Sequence, residues 1–215
     1  MKLAVFSDVH ANLIALEQFV TATQSIVDGY LCLGDVVNYG PWNDECLEIV
    51  TQLPGIKYLE GNHERLFRGV AEIDDELPLV QDFFYCSQTY FSRLDLLAQL
   101  PLQYELDTYV CHHTIEGMKV YPDTPIELTH NHIIGHTHHQ FRIENSGFVL
   151  LNPGSVGQNR GYIDMVDYLI INVPGGEVEM QSVPYDIDLF LSELKRRHYP
   201  EHCISYYANK PRRGR

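Results

Sequence analysis

The sequence predicts an α/β fold built as one domain, on three observations. Apolar runs of strand length alternate with segments of helical period over residues 2–60, the pattern of a parallel or mixed sheet with helices packed on it. The second half is dominated by strand-like runs, as for a second sheet laid on the first. The 215 residues contain no repeat, linker or low-complexity stretch, and this length suits a single core spanning 1–215.

Residues 2–7 read as the first strand. Leu13, Leu16, Phe19 and Val20 then recur at helical spacing over 11–24, with Asn12 placed to cap. The second strand lies within 26–37, an apolar run that stops at Gly34-Asp35 and enters the turn Asn38-Tyr39-Gly40-Pro41. Residues 44–53 read as a helix closed by Pro54-Gly55, and 57–60 as a strand running into Gly61-Asn62. An acidic patch at Glu72, Asp74, Asp75 and Glu76 precedes a helical stretch rich in Phe83, Phe84, Tyr85, Tyr90, Phe91 and Leu94. Such a stripe buries itself on a sheet, roofs a pocket, or forms a face for a homo-oligomer. Strands are expected at 109–111, 132–134, 148–151, 168–171 and 177–183, then a helix at 186–197. Residues 198–215 read as a frayed basic tail ending in Lys210-Pro211-Arg212-Arg213-Gly214-Arg215.

No apolar run reaches the length of a membrane span, and Asp8 and His10 interrupt the opening apolar segment before a signal-peptide core forms. A soluble, cytoplasmic protein is expected. Cys32, Cys46, Cys86, Cys111 and Cys203 include no CxxC pair, so free thiols are expected rather than a disulfide framework. The net charge of -14 is uneven. The last 21 residues carry seven of the 15 Lys and Arg and a single acid, leaving 8 basic against 28 acidic residues, or -20, elsewhere. Such a body repels polyanions, so neither long nucleic acid nor membrane is an expected partner. A phosphate-bearing substrate needs local attraction, which bound cations supply.

The candidate chemistry lies in five segments that each end an apolar run: Asp8-Val9-His10, Gly34-Asp35, Gly61-Asn62-His63-Glu64, His112-His113 and Gly135-His136-Thr137-His138. Asp8 and His10 are two apart, which on extended backbone places both on one face. Alone, each segment is equally a turn or a helix cap. Residues 129–139, however, hold five histidines, a density that core histidines rarely reach. Together the five segments supply the oxygen and imidazole donors that two divalent cations need.

In order, these segments read DVH, GDVVNYG, GNHE, CHH and GHTH, and Asn152-Pro153-Gly154-Ser155-Val156-Gly157-Gln158 follows them. The pattern resembles the calcineurin-like metallophosphoesterase superfamily, and within it the small single-domain phosphoesterases of bacteria and archaea. The resemblance implies a four-layer αββα sandwich of two mixed sheets flanked by helices. It implies one metal held by Asp8, His10, Asp35 and His138, a second by Asp35, Asn62, His112 and His136, and Asp35 bridging. It also implies His63 as the catalytic residue, a general acid for the leaving oxygen. Mn²⁺ or Fe²⁺ suits this mixed donor set, with Zn²⁺ or Ni²⁺ as further candidates.

The expected function is that of a dinuclear phosphodiesterase cleaving a small or nucleotide-like phosphoester by metal-hydroxide attack. A phosphomonoesterase or a dinucleoside polyphosphate hydrolase shares the same ligands, and a protein-binding scaffold of the same fold is the non-enzymatic alternative. Relatives carry His-Gly where this chain has His112-His113, and His112 is expected to be the ligand because it directly follows the apolar run. Arg160 is expected either to approach the phosphate or to close a turn.

Overall fold

The structure, a computed structural model, describes residues 1–175 and 177–214. Arg215, the end of the expected basic tail, lies outside the described residues.

The chain opens with β1 (Lys2–Phe6), α1 (Leu13–Thr23), β2 (Gly29–Cys32), α2 (Asn43–Gln52), β3 (Lys57–Tyr58), α3 (Asn62–Phe67) and α4 (Pro78–Ser87). It continues through β4 (Gln103–Leu106), β5 (Tyr109–His112), β6 (Asn131–Ile134), β7 (Gln140–Asn145), β8 (Phe148–Pro153), β9 (Met165–Asn172) and β10 (Val178–Pro184) to α5 (Ile187–Arg196) and α6 (Glu201–Ala208). The Asn12 side chain accepts the Ala15 N–H and caps α1 as expected.

Two mixed five-stranded sheets, ordered β10-β9-β1-β2-β3 and β4-β5-β6-β8-β7, stack face to face with helices flanking them. Strands β1, β2 and β3 run parallel, whereas β9 is antiparallel to both β1 and β10. The β-rich second half does not make the second sheet alone, because β9 and β10 return to the first. Every residue of β9 but Asn172 is buried. Leu169 and Ile171 face the other sheet while Tyr168 and Ile170 face the helices, as a central strand covered on both sides requires.

Between the sheets, Leu3, Val5, Leu31 and Leu33 meet Cys111, Ile133 and Leu151. Outside the first sheet, Leu16, Phe19, Leu47, Phe190 and Tyr207 form the larger core. A fully buried side chain of this size contributes about 1.5–3 kcal/mol. Outside the second sheet, Val120 and Leu128 close over Ile134, Phe141 and Leu150. The described residues of this covering segment, 113–130, hold no helix. Phe83 and Leu97 of the aromatic stretch are fully buried, while Tyr85, Tyr90 and Leu94 are exposed.

The expected frayed tail is corrected by α6. Beyond the cationic residues 195–197, Cys203, Ile204 and Tyr207 resume a helical period and all three are buried. Their burial outweighs the charge of the flanking cations. All five cysteines are unbonded, and no helix among the described residues is long and apolar enough to cross a membrane.

Candidate metal centre

The candidate donors gather beyond the ends of β1, β2, β3, β5 and β6, on backbone that has already left the strands. Asp8, His10, Asp35, His136 and His138 all adopt left-handed conformations, with φ of 57°, 50°, 58°, 70° and 60°. The expected extended geometry from Asp8 to His10 is therefore not what brings them together. Five such residues cost about 1–3 kcal/mol each, and the surroundings hold them in place. The Asp8 and His10 amides donate to Gly34 O and Asp35 O, both at 3.0 Å. The Glu64 carboxylate accepts the amides of Asp35 (2.7 Å), Val36 (2.7 Å) and Gly61 (2.8 Å) and the Tyr58 hydroxyl (2.9 Å). Gly61 is required at its position because a Cβ there would overlap Asp35 Oδ1.

Three donors converge in a first group. His10 Nε2 and His138 Nε2 lie 3.1 Å apart, and Asp8 Oδ1 lies 3.2 Å from the latter and 3.7 Å from the former. His10 Nδ1 faces Val37 O at 3.3 Å and His138 Nδ1 faces Gln158 O at 3.1 Å. A carbonyl only accepts, so each Nδ1 carries a proton, and with both imidazoles neutral the two Nε2 atoms face one another as lone pairs. Asp8 Oδ1 is buried without a hydrogen-bond partner. Two opposed lone pairs beside an orphaned carboxylate oxygen are mutually repulsive, and a cation between them removes the conflict.

A second group forms around Asp35 and Asn62. His113 Nε2 lies 3.1 Å from both Asp35 Oδ2 and Asn62 Oδ1, and His136 Nδ1 lies 3.0 Å from Asn62 Oδ1. His113 Nδ1 faces Leu33 O at 3.0 Å, which again directs Nε2 into the cluster. Asp35 Oδ2 is buried, with the His113 imidazole its nearest polar neighbour. Asp35 also stands beside His63 Nε2 at 3.9 Å and belongs with His10 and His63 to a third compact group, so it lies between the first two.

His112 does not join this cluster, which corrects the expected register by one residue. Its Nε2 meets His132 Nδ1 at 3.1 Å on the outer face of the second sheet. Along β5, Tyr109 and Cys111 point into the space between the sheets, so the two-residue alternation turns His112 outward and His113 inward. His113 is buried, while His112 is only half-buried.

Electrostatics follow from this packing. Burial alone raises the Asp8 carboxyl, but His138 beside it brings it down to about 2. Burial likewise opposes the charged form of Asp35, yet His113 and His63 hold it well below the usual carboxylate range. Burial would lower His113, and the facing Asp35 outweighs it, raising the imidazole to about 9. Burial and then His113 push His136 down to about 4. Burial and then the Asp35 charge push Glu64 up to about 7, against the donors that favour its carboxylate.

His63, at the N-terminal end of α3, is buried, and burial lowers its pKa. Asn38 Nδ2 lies 2.9 Å from His63 Nδ1 and the Tyr39 amide donates to Asn38 Oδ1. Asn38 thereby donates to Nδ1 and leaves the His63 proton on Nε2, facing Asp35. Tyr39 packs edge-on against both His10 and His63. The segment 152–158 braces the site: Asn152 donates to Gly135 O (2.8 Å), Ser155 Oγ to Asp8 O (2.7 Å), and the Gln158 carbonyl fixes His138. The roles of Glu64, Asn38 and Tyr39 went unassigned in the sequence, although all three sit inside the quoted GNHE and GDVVNYG segments.

Two grooves meet at the cluster. The wider, about 970 Å³, runs from Asn62, His113 and His136 across the outer face of the second sheet to His112, His130 and His132. The narrower, about 300 Å³, is lined by Asp35, Tyr39, His63, Tyr121, His138 and Arg160. Arg160 also lies over the Tyr206 ring, 5.8 Å from its centroid. His130 and His132 lie apart from the donor cluster.

The family model for the calcineurin-like phosphoesterase superfamily domain matches residues 1–175. An uncharacterised protein of Methanocaldococcus jannaschii is 26% identical over 237 residues, covering 93% of this chain and 94% of its own. A metallophosphoesterase from Sphaerobacter thermophilus superposes with a TM-score of 0.79 at 26% identity, over 97% of this chain and 98% of that one. A hypothetical protein from Pyrococcus horikoshii OT3 gives a TM-score of 0.83 at 15% identity, over 96% and 97%.

Proposed function

Because this chain belongs to the calcineurin-like phosphoesterase superfamily and is a hydrolase of that family, we propose that it is a two-metal phosphodiesterase acting on a small or nucleotide-like substrate. The observation that carries the reading is the pair of opposed Nε2 atoms, 3.1 Å apart, of His10 and His138, whose other nitrogens face carbonyls. Asp8, His10, His138 and Asp35 would hold one cation; Asp35, Asn62, His113 and His136 would hold the other. The mixed nitrogen and oxygen set suits Mn²⁺ or Fe²⁺, then Zn²⁺ or Ni²⁺. When bound, two such ions supply Lewis acidity toward the phosphate and an activated water nucleophile.

The chain's own groups supply the rest. Glu64 pins the backbone of Asp35 and Gly61, so the central carboxylate and Asn62 keep their spacing. His63 presents Nε2–H to the leaving oxygen, its tautomer set by Asn38. That donor favours a diester, whose alkoxide leaves poorly unless protonated. Tyr39 screens His10 and His63 from bulk water. Arg160 on the narrow groove offers a charge to an anionic part of the substrate.

The test is a metal-reconstituted activity panel spanning phosphodiesters, phosphomonoesters and dinucleoside polyphosphates. Turnover of simple diesters, dependent on added Mn²⁺ or Fe²⁺ and abolished by chelation, supports the proposal. Faster turnover of monoesters or of dinucleoside polyphosphates replaces it with that activity. Absence of turnover of every diester with full metal loading overturns the proposal.

A further inference from the structure

We propose that the wider groove binds the substituent retained on phosphorus and that this group carries no negative charge of its own. The inference rests on the phosphodiesterase reading and adds the charge class of one ester arm. Four observations converge on it.

The grooves share Asn62, His136, Glu76 and Lys119, so they open onto one reacting centre from two sides. A monoester needs one such arm and a diester needs two. His63 lines the narrow groove and not the wide one, so the oxygen it protonates departs on the narrow side. The substituent left on phosphorus then occupies the wide groove.

Charge differs between the arms. In the wide groove, Glu60 is taken up by Arg65 and Arg68. Glu76, Glu105, Glu116 and Glu127 remain, with only Lys119 against them, and none of these five makes an ion pair with another described residue. The narrow groove sets Lys119 and Arg160 against Glu76 and the buried Asp35, two cations to two carboxylates. A groove walled by one sign of charge concentrates ligands of the other sign and repels its own. An uncharged alcohol such as a nucleoside, or a cationic amino alcohol, therefore suits the wide arm, and further phosphate or carboxylate groups do not.

The experiment uses the Mn²⁺-loaded full chain and three diesters that share a p-nitrophenyl leaving group. Their retained substituents are choline (cationic), methyl (uncharged) and a carboxyalkyl chain (anionic). Three exposed carboxylates acting through solvent should separate the cationic from the anionic ester by about tenfold in kcat/KM at low salt, and 0.5 M salt should compress the difference. The variant Glu105→Gln/Glu116→Gln/Glu127→Gln, its fold checked by thermal melting, should bring the ratio to about twofold. An anionic ester turned over as fast as the cationic one, or a ratio that the variant does not change, overturns the inference. If p-nitrophenyl phosphate is hydrolysed and none of the diesters is, the diesterase reading fails separately. The same three diesters, as competitive inhibitors of that monoester reaction, then test the groove by the same order and the same variant.

Discussion

Replacing His113 by alanine should abolish one of two metal sites, whereas the same change at His112 should not. His113 Nε2 faces both Asp35 Oδ2 and Asn62 Oδ1 at 3.1 Å, so the variant removes one donor and strips Asp35 Oδ2 of its nearest cationic neighbour. A group that merely orients a ligand is worth about 10–100-fold in metal affinity. A direct ligand should therefore cost at least about 100-fold, or about 2.7 kcal/mol. His112→Ala removes one imidazole contact to His132, worth about 0.5–1.5 kcal/mol of stability, with no change in metal content. The raised pKa adds a second signature. His113 titrates near 9 beside Asp35 in the metal-free protein, so a cation must displace its proton. Affinity at that site should rise about tenfold per pH unit from pH 6 toward 9, with one proton released per ion, and His113→Ala should lose the slope. Titration calorimetry in two buffers of different ionisation enthalpy, with elemental analysis of the dialysed proteins, reads both effects. Two metals retained in His113→Ala and one lost in His112→Ala would refute the assignment.

Asp35→Asn should lower the occupancy of both sites and most of the turnover while the circular dichroism spectrum is kept; full occupancy of both would remove Asp35 from its central place. His63→Ala should keep two metals and lose about 10²- to 10⁴-fold in rate, with a smaller deficit for esters of acidic alcohols; a halved metal content would make His63 a ligand instead. Lys210→Met should stabilise the protein. The Lys210 Nζ is buried without a hydrogen-bond partner, and burial, then Arg160, pull its pKa to about 6. Its position 3.7 Å over the centre of the Tyr206 ring offsets part of that cost. The unfolded chain holds this proton up to about pH 10.5, so the lysine's penalty is largest at and below pH 6 and fades as pH rises to that value. The gain in melting temperature should follow the same course, and a gain that grows with pH would contradict it.

Local chemistry was legible in the sequence because it is written in short-range order. An apolar run followed by Gly-Asp or Gly-Asn-His marks where a strand ends and a donor begins, whatever the strand later pairs with. The capping of α1 by Asn12 and the unbonded cysteines are of the same kind. The facing of His113 was not, although counting by twos from a core-facing Cys111 puts His113, and not His112, on the inner side. Only the tertiary structure showed that Cys111 faces inward, because a short apolar strand reads alike on either face. The same limit hid the return of β9 and β10 to the first sheet. Strand partners are chosen by burial across distant parts of the chain, as in the pairing of Leu3 with Ile171. It hid α6 as well, whose Tyr207 is buried against a core that the helix itself does not encode. The left-handed turns at Asp8, His10, Asp35, His136 and His138 belong to the same class: Asp and His tolerate that backbone better than most residues, yet do not select it by themselves. It is held by contacts such as Glu64 to Asp35 and Ser155 to Asp8, which exist only once the strands have stacked.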